Sequence, residues 1–388
     1  MKILIITPLF FPSKGGVQNY TLSIALGLKK FYGHTVCVIT SSKTGDSIQK
    51  ENIKGLTVYR LPSQFSISNT PISFKWQNQI KKIIKDENPD IINTHTPVPF
   101  MSDIVARINT KVPVILNYHN DLIKPGIIGK VLAKIYYRIL LNKTIKKSDM
   151  IIALSEYYAK NSPYISKYSN KTKVVSPGVD TNKFNEKIDA TWLKKKYPAK
   201  KIVLFVGNMD IANSHKGMNV LLTTIAQLKI KMPNVKLIAV GSGNALDHYK
   251  QRSKELNIEE SVEFVGYVKD QDLPKYYSGA DVLVLPSTTD AEGFGMVLTE
   301  AMACGTPVIG SNIGGIPFVI QDRKNGLLVK AGDTQALSAK LYELLTNNQL
   351  LNTLKRNASK HVKDNFTLIH SIDNTEVLLQ SMILEAVK

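Results

Sequence analysis

Short, almost wholly apolar runs alternate along this chain with longer amphipathic ones, and the pattern starts afresh near residue 200. Ile3–Thr7, Thr35–Thr40, Leu56–Leu61, Asp90–Thr94, Val112–Asn117 and Met150–Leu154 read as strands in the first half. Ile202–Val206, Val235–Val240, Val262–Gly266, Val282–Leu285, Val308–Gly310 and Leu327–Val329 read as strands in the second. Between them lie helical patterns such as Val17–Lys30, Trp76–Lys85, Met218–Lys229 and Met296–Cys304. Continuous apolar strands alternating with helices indicate parallel sheets covered on both faces. The restart therefore predicts an α/β chain of two doubly wound domains. The polar stretch around 180–200 places the seam, giving residues 1–185 and 186–368. A last helical pattern, Ile369–Glu385, is expected to pack back on the first domain.

In doubly wound sheets, ligands bind outside the carboxyl ends of the strands, so loops that follow strands carry the chemistry. The first such loop ends in Gly15-Gly16, where the backbone N–H groups of a helix start can approach an anion. Asn117-Tyr118-His119-Asn120-Asp121 directly follows a strand and offers an imidazole and a carboxylate; His95 holds a similar but weaker position. Each of these is equally compatible with a simple turn or a helix cap. Lys216, in His215-Lys216-Gly217, precedes a helix whose dipole favours a diphosphate beside the ammonium group.

The densest motif spans residues 286–316. Glu292 lies in the Gly-rich loop Glu292-Gly293-Phe294-Gly295, and Glu300 follows eight positions on, within the helix. The amides of Gly295, Met296 and Val297 open that helix. Carboxylates accept two hydrogen bonds from a vicinal diol, which suits sugar and ribose hydroxyls.

This Glu-x7-Glu motif, continued as Glu300-Ala301-Met302-Ala303-Cys304-Gly305-Thr306-Pro307-Val308, resembles the retaining, nucleotide-sugar-dependent glycosyltransferases of the GT-B fold, the group 1 enzymes. Gly15-Gly16, His119-Asn120-Asp121, Ser155, Pro177-Gly178-Val179-Asp180 with Phe184, Lys216-Gly217 and Asn325-Gly326-Leu327-Leu328-Val329 match the family in order. The resemblance implies two facing Rossmann-like domains with a central cleft. It implies a hexose moved from a UDP- or GDP-sugar to an acceptor hydroxyl, without a bound metal or other cofactor. Gly15 and Gly16 would approach the donor diphosphate and Lys216 would neutralise it. Glu300 would hold the ribose. Glu292, with the amides of Gly295, Met296 and Val297, would hold the donor sugar, and His119 would contact that sugar near the reacting carbon. Many members carry Arg where this chain has Asn208, which is taken as a donor contact in its place. Many also have Glu where this chain has Phe318.

Charge bears on the acceptor. The chain carries 50 Lys+Arg against 31 Asp+Glu, a formal +19. Residues 1–180 hold 25 basic and 10 acidic residues, so 25 − 10 = +15 of that excess lies there. Lys130, Lys134 and Arg138 recur at four-residue spacing and form one basic stripe on the helical pattern Ile128–Ile145. That stripe fits either an ordinary crossover helix or one lying on an anionic membrane. The expectation is a lipid-linked or polysaccharide acceptor, met by a cytoplasmic enzyme peripheral to the inner face of the plasma membrane. Capsule, glycolipid or cell-surface polysaccharide synthesis follows. No apolar run reaches the roughly 18 residues that a spanning helix needs. The two cysteines, Cys37 and Cys304, form no disulfide framework or zinc pattern. A nucleic-acid-binding or -modifying protein would explain the charge, but no DNA- or RNA-binding motif accompanies it. A sugar-nucleotide epimerase on the same fold is the other competing reading.

Overall fold

A computed structural model describes residues 1–13, 15–42, 46–67, 70–96, 98–108, 110–122, 126–189 and 191–387. The chain divides into two units: Met1–Pro177 together with Ile369–Lys388, and Gly178–Leu368. The division falls ahead of 185/186, because the backbone at Val179 already belongs to the second unit. Its N–H donates to the Phe366 carbonyl at 2.8 Å, and its carbonyl accepts from Leu368 N–H at 2.8 Å. The Val179 and Phe184 side chains lie in the second unit's core.

In the first unit the strands are β1 (Lys2–Ile6), β2 (Thr35–Ser42), β3 (Gln49–Ile53), β4 (Leu56–Pro62), the small pair β5 (Phe65–Ile67) and β6 (Thr70–Ile72), β7 (Ile91–Thr96), β8 (Val114–Tyr118), β9 (Met150–Ala153) and β10 (Thr172–Val174). The main sheet runs β10-β9-β8-β7-β1-β2-β4-β3. Every pairing in it is parallel except β3 with β4. Leu4 and Ile6 of β1 join Ile39 and Ile92 in one core with Ile80, Ile83 and Ile84 of the helix Trp76–Glu87. The C-terminal helix Leu368–Val387 lies against the helix Gly16–Tyr32. A Cβ on Gly27 would come 2.1 Å from Ile372 Cδ1, and His34 Nε2 sits 2.7 Å from Glu376 Oε2.

The second unit holds β11 (Lys201–Val206), β12 (Val235–Val240), β13 (Val262–Gly266), β14 (Val282–Leu285), β15 (Val308–Ser311) and β16 (Leu327–Val329). They form a parallel sheet in the order β13-β12-β11-β14-β15-β16. Alternation along β11 shows why the strand is apolar from Ile202 to Val206. Val203 and Phe205 enter one core, with Leu221, Leu222 and Ile225 of the helix Met218–Lys231. Ile202, Leu204 and Val206 enter the other, with Leu298, Ala301 and Met302 of the helix Met296–Ala303. Side chains two apart share a face, so a strand covered on both sides has no polar face.

Both sheets reverse direction of growth beside their first strand. The chain builds β11, β12, β13 outward on one side, then returns to place β14, β15, β16 on the other. In the first unit the reversal lies between β1 and β7. Loops leaving adjacent strands at such a point diverge and leave a crevice for a ligand.

The helical pattern 128–145 is one continuous run in three parts, Gly126–Tyr136, a π-helical turn Tyr137–Leu141, and Asn142–Lys147. The wider turn carries the helix over the buried Tyr136, Tyr137 and Leu141.

Candidate active site

In the second unit, the two loops at the reversal point are stitched together. Thr288, on the loop after β14, donates its backbone N–H to the His215 carbonyl at 2.7 Å and its hydroxyl to the same oxygen at 3.2 Å. That contact sets Lys216 opposite Glu292, with Nζ 2.8 Å from Oε2. Gly217 makes the close approach possible: its φ is +81°, and a Cβ there would lie 1.9 Å from the Pro286 carbonyl oxygen.

Glu292 is buried. Burial alone would raise its pKa, but the Lys216 ammonium, His215 and the N–H of Gly295 together hold it below the ordinary carboxylate value. His215 moves down as well, through burial and the neighbouring Lys216 charge, against the pull of Glu292. The loop carrying Glu292 is braced from beneath. Gly315 N–H donates to the Glu292 carbonyl at 2.9 Å, and a Cβ on Gly315 would stand 2.0 Å from the Gly293 oxygen.

Gly295, at φ +83°, turns the chain into the helix Met296–Ala303. Leu298 N–H is the first to find a partner there, the Gly295 carbonyl at 2.8 Å. Met296 and Val297 precede it, so their N–H groups have no carbonyl earlier in the helix. Glu300 lies farther along the same helix and is partly buried. Burial lifts its pKa to about 7, although the Tyr277 hydroxyl donates to Oε2 at 2.6 Å and Lys183 favours the anion. Tyr277 has no sequence motif around it and was not singled out by sequence; its only signal is an apolar position in the helix Leu273–Gly279.

Asn208 is exposed on the loop after β11. Its Oδ1 accepts Asp210 N–H at 2.7 Å, and Asp210 Oδ1 accepts Asn244 N–H at 2.9 Å, so the side chain shapes its own turn. Phe318 packs at the edge of the second core against Phe294 and Phe366 rather than presenting a charge.

In the first unit, Gly15 and Gly16 are exposed and start the helix Gly16–Tyr32; Lys14 beside them lies outside the described residues. The pairing of β7 with β8 brings two histidines together. His95 Nδ1 lies 2.9 Å from His119 Nε2, the rings stack at 5.2 Å, and Tyr20 meets His119 edge-on at 5.6 Å. Burial drives the His119 pKa down to about 3 and that of His95 well below its ordinary value, so both imidazoles are neutral. Sequence ranked His95 as the weaker candidate; the strand register makes it the direct partner of His119. Asp121 accepts from the Tyr118 and Ser162 hydroxyls and holds its own loop. Among the described residues, no group of three or more His, Cys, Asp or Glu side chains could hold a metal ion. No helix there is long and apolar enough to cross a membrane.

Two family models match the chain in succession. The Glycosyltransferase Family 4 model covers residues 14–183 and the Glycosyl transferases group 1 model covers 186–361. Over 389 residues the chain is 26% identical to the O-antigen chain mannosyltransferase C of Escherichia coli, spanning 100% of both proteins. It is 27% identical over 370 residues to a phosphatidyl-myo-inositol mannosyltransferase of Mycolicibacterium smegmatis, 93% of this chain and 89% of that one. In fold it matches the sucrose-phosphate synthase of Thermosynechococcus elongatus with a TM-score of 0.82 at 23% identity, over 99% of each chain. Two consecutive Rossmann-like units of this kind, matched almost end to end by both family models, place the chain among the group 1 glycosyltransferases of the GT-B fold.

Proposed function

We propose that the protein transfers a hexose, with retention of configuration, from a nucleoside-diphosphate sugar to the hydroxyl of a lipid-linked or polysaccharide acceptor. The Lys216–Glu292 pair at the reversal point of the second sheet carries the reading. It sets a cation for a diphosphate beside a carboxylate for sugar hydroxyls, next to the N–H groups that open the helix Met296–Ala303. Glu300 accepts the ribose hydroxyls. Asn208, lacking a charge, contributes a polar contact at most.

In the reaction the bond from the sugar C1 to the diphosphate oxygen breaks, and its electron pair leaves on that oxygen. Lys216 and the helix-opening amides stabilise the charge as it forms. The acceptor oxygen bonds to C1 on the same face, and its proton passes to the departing phosphate oxygen. His119, neutral and held by His95, orients a sugar hydroxyl by hydrogen bonding and takes no part as a cation. The transfer uses no metal, so full turnover is expected in the presence of a chelator.

The mannosyltransferase relatives favour a mannose-type donor and an acceptor carried on a lipid, in the building of a cell-surface glycan. A cytoplasmic position, peripheral on the inner face of the membrane, follows from such an acceptor. The decisive experiment screens UDP- and GDP-sugars for thermal stabilisation of the protein, then determines the anomeric configuration of the product made from the best donor. An inverted product, or a covalent glycosyl-enzyme trapped on a carboxylate, would end the retaining reading.

A further inference from the structure

Two neutral imidazoles in hydrogen-bonding contact cannot each choose a tautomer freely. His95 lies in β7, and His119 directly follows β8; both are buried. Burial keeps both rings neutral, so each carries one proton. His95 Nδ1 stands 2.9 Å from His119 Nε2, so one of these nitrogens donates and the other accepts. Tyr20 meets the two rings edge-on, at 6.4 and 5.6 Å, and holds their planes.

Two observations decide the direction. The Thr21 hydroxyl lies 3.5 Å from the same His95 Nδ1 and already donates its proton to the Val17 carbonyl at 2.8 Å. Towards His95 it can only accept, which favours a proton on Nδ1. His95 Nε2, in turn, is buried without a hydrogen-bond partner. A proton there would make it a donor sealed away from any acceptor, and buried N–H groups are seldom left so. Both observations place the His95 proton on Nδ1, which donates to His119 Nε2. His119 then carries its own proton on Nδ1, a nitrogen that bonds to none of the described residues.

We propose that His95 is a positioning residue that locks His119 in the tautomer with its hydrogen on Nδ1, so that His119 offers the reaction a donor N–H and no lone pair. The lock rests on the proposed function only for its catalytic meaning, the contact of His119 with the donor sugar. The sugar atom that His119 meets must then accept a hydrogen bond. His119 also cannot take the proton of the acceptor hydroxyl, because the lone pair on its Nε2 is occupied by His95. That agrees with passage of the proton to the departing phosphate oxygen.

The test is ¹⁵N NMR of the full chain labelled in histidine, at pH 7, with His119 assigned by the signals lost in His119→Gln. The wild type should show His119 protonated at Nδ1 and bare at Nε2, the tautomer that a free histidine side chain disfavours. His95→Phe keeps a ring and removes the donor. His119 should then move its proton to Nε2, and sugar transfer should fall about tenfold, the worth of one hydrogen bond. His95→Asn, whose amide N–H can stand in for Nδ1–H, should restore the tautomer and most of that transfer. Binding of bare nucleoside diphosphate, which has no sugar to meet His119, should be the same in all three proteins. A wild-type His119 protonated at Nε2 overturns the proposal, even if neither variant folds. So does a tautomer unchanged in His95→Phe. If His95→Asn restores the tautomer but transfers no better than His95→Phe, the pair is structural only and the positioning role falls. The spectrum reads the pair without donor or turnover, so an Nδ1-protonated His119 in a protein that transfers no sugar would end the proposed function and uphold the lock.

Discussion

Lys216 Nζ lies 2.8 Å from Glu292 Oε2, so the cation proposed for the diphosphate is already neutralised by the carboxylate proposed for the sugar. A bare nucleoside diphosphate must compete with Glu292 for Lys216 and also meets the repulsion of that carboxylate. A nucleotide sugar gives both groups new partners at once. Glu292→Gln should therefore bind nucleoside diphosphate more tightly than the wild type, by roughly 1 kcal/mol or fivefold. Sugar transfer by the same variant should fall by orders of magnitude, about 100-fold or more, as for loss of a charge-orienting group. Lys216→Ala should lose both. Calorimetry with the diphosphate, paired with turnover, checks the split; weaker diphosphate binding in Glu292→Gln would refute competition within the pair.

Glu300 carries a pH signature of its own. Its pKa is raised to about 7 by burial. Only the carboxylate accepts both hydroxyls of a ribose, so nucleotide affinity should fall as pH drops through about 7 and be flat in Glu300→Gln. Stability responds in the opposite sense. A carboxyl whose folded pKa stands above its ordinary 4.5 binds more protons folded than unfolded. Its stabilising contribution is complete below the ordinary value and is lost as pH rises through about 7, a change of roughly 3 kcal/mol. Glu300→Gln should therefore melt higher than the wild type at pH 8, with little difference near pH 4.5. A lower melting temperature at pH 8 would contradict it.

What sequence could and could not reveal follows from range. The strand Val282–Leu285 and the helix start at Met296 are local patterns, and their limits in the structure are those read from the chain or within a residue of them. The antiparallel edge strand Gln49–Ile53 was not legible, since QKENI has no apolar alternation and no buried residue; it is held by backbone pairing to β4. The π-helical turn at Tyr137 leaves no mark in composition. In the site, Glu292, Glu300 and Lys216 stand in recognisable motifs. Their partners do not: Tyr277 reaches Glu300, and His95 reaches His119, through a helix contact and a strand register that are non-local.

Gly315 tests whether the Glu292 loop must be held from beneath. Gly315→Ala would place a methyl 2.0 Å from the Gly293 carbonyl, an immovable backbone atom, and would break the brace from Gly315 N–H to the Glu292 carbonyl. The loop must then shift, at a cost of about 1–3 kcal/mol for overpacking. Transfer should drop severely while no charge is altered and the first unit is untouched. Ala at Gly332, where a Cβ meets nothing within 4 Å but φ is +79°, serves as the comparison: it should cost stability through strain and leave transfer intact once folded.

The histidine pair makes acid the protein's weak side. His119 has a folded pKa of about 3 against an ordinary 6.5, through burial. Between those values the unfolded chain binds a proton that the folded one refuses. Stability from this group is therefore full above about 6.5 and declines as pH falls toward 3, by about 1.4 kcal/mol for each pH unit. Glu300 pulls the other way between its ordinary value and about 7, so the wild-type curve alone is ambiguous in that window. The substitution His119→Gln isolates the term: its urea midpoint should lose less than the wild type's between pH 6.5 and 4.5, even if the variant is less stable overall. Below 4.5, where Glu300 is protonated folded and unfolded alike, the wild type should fall more steeply than the variant. Parallel curves across both windows would show that the buried imidazole is not the acid-sensitive group.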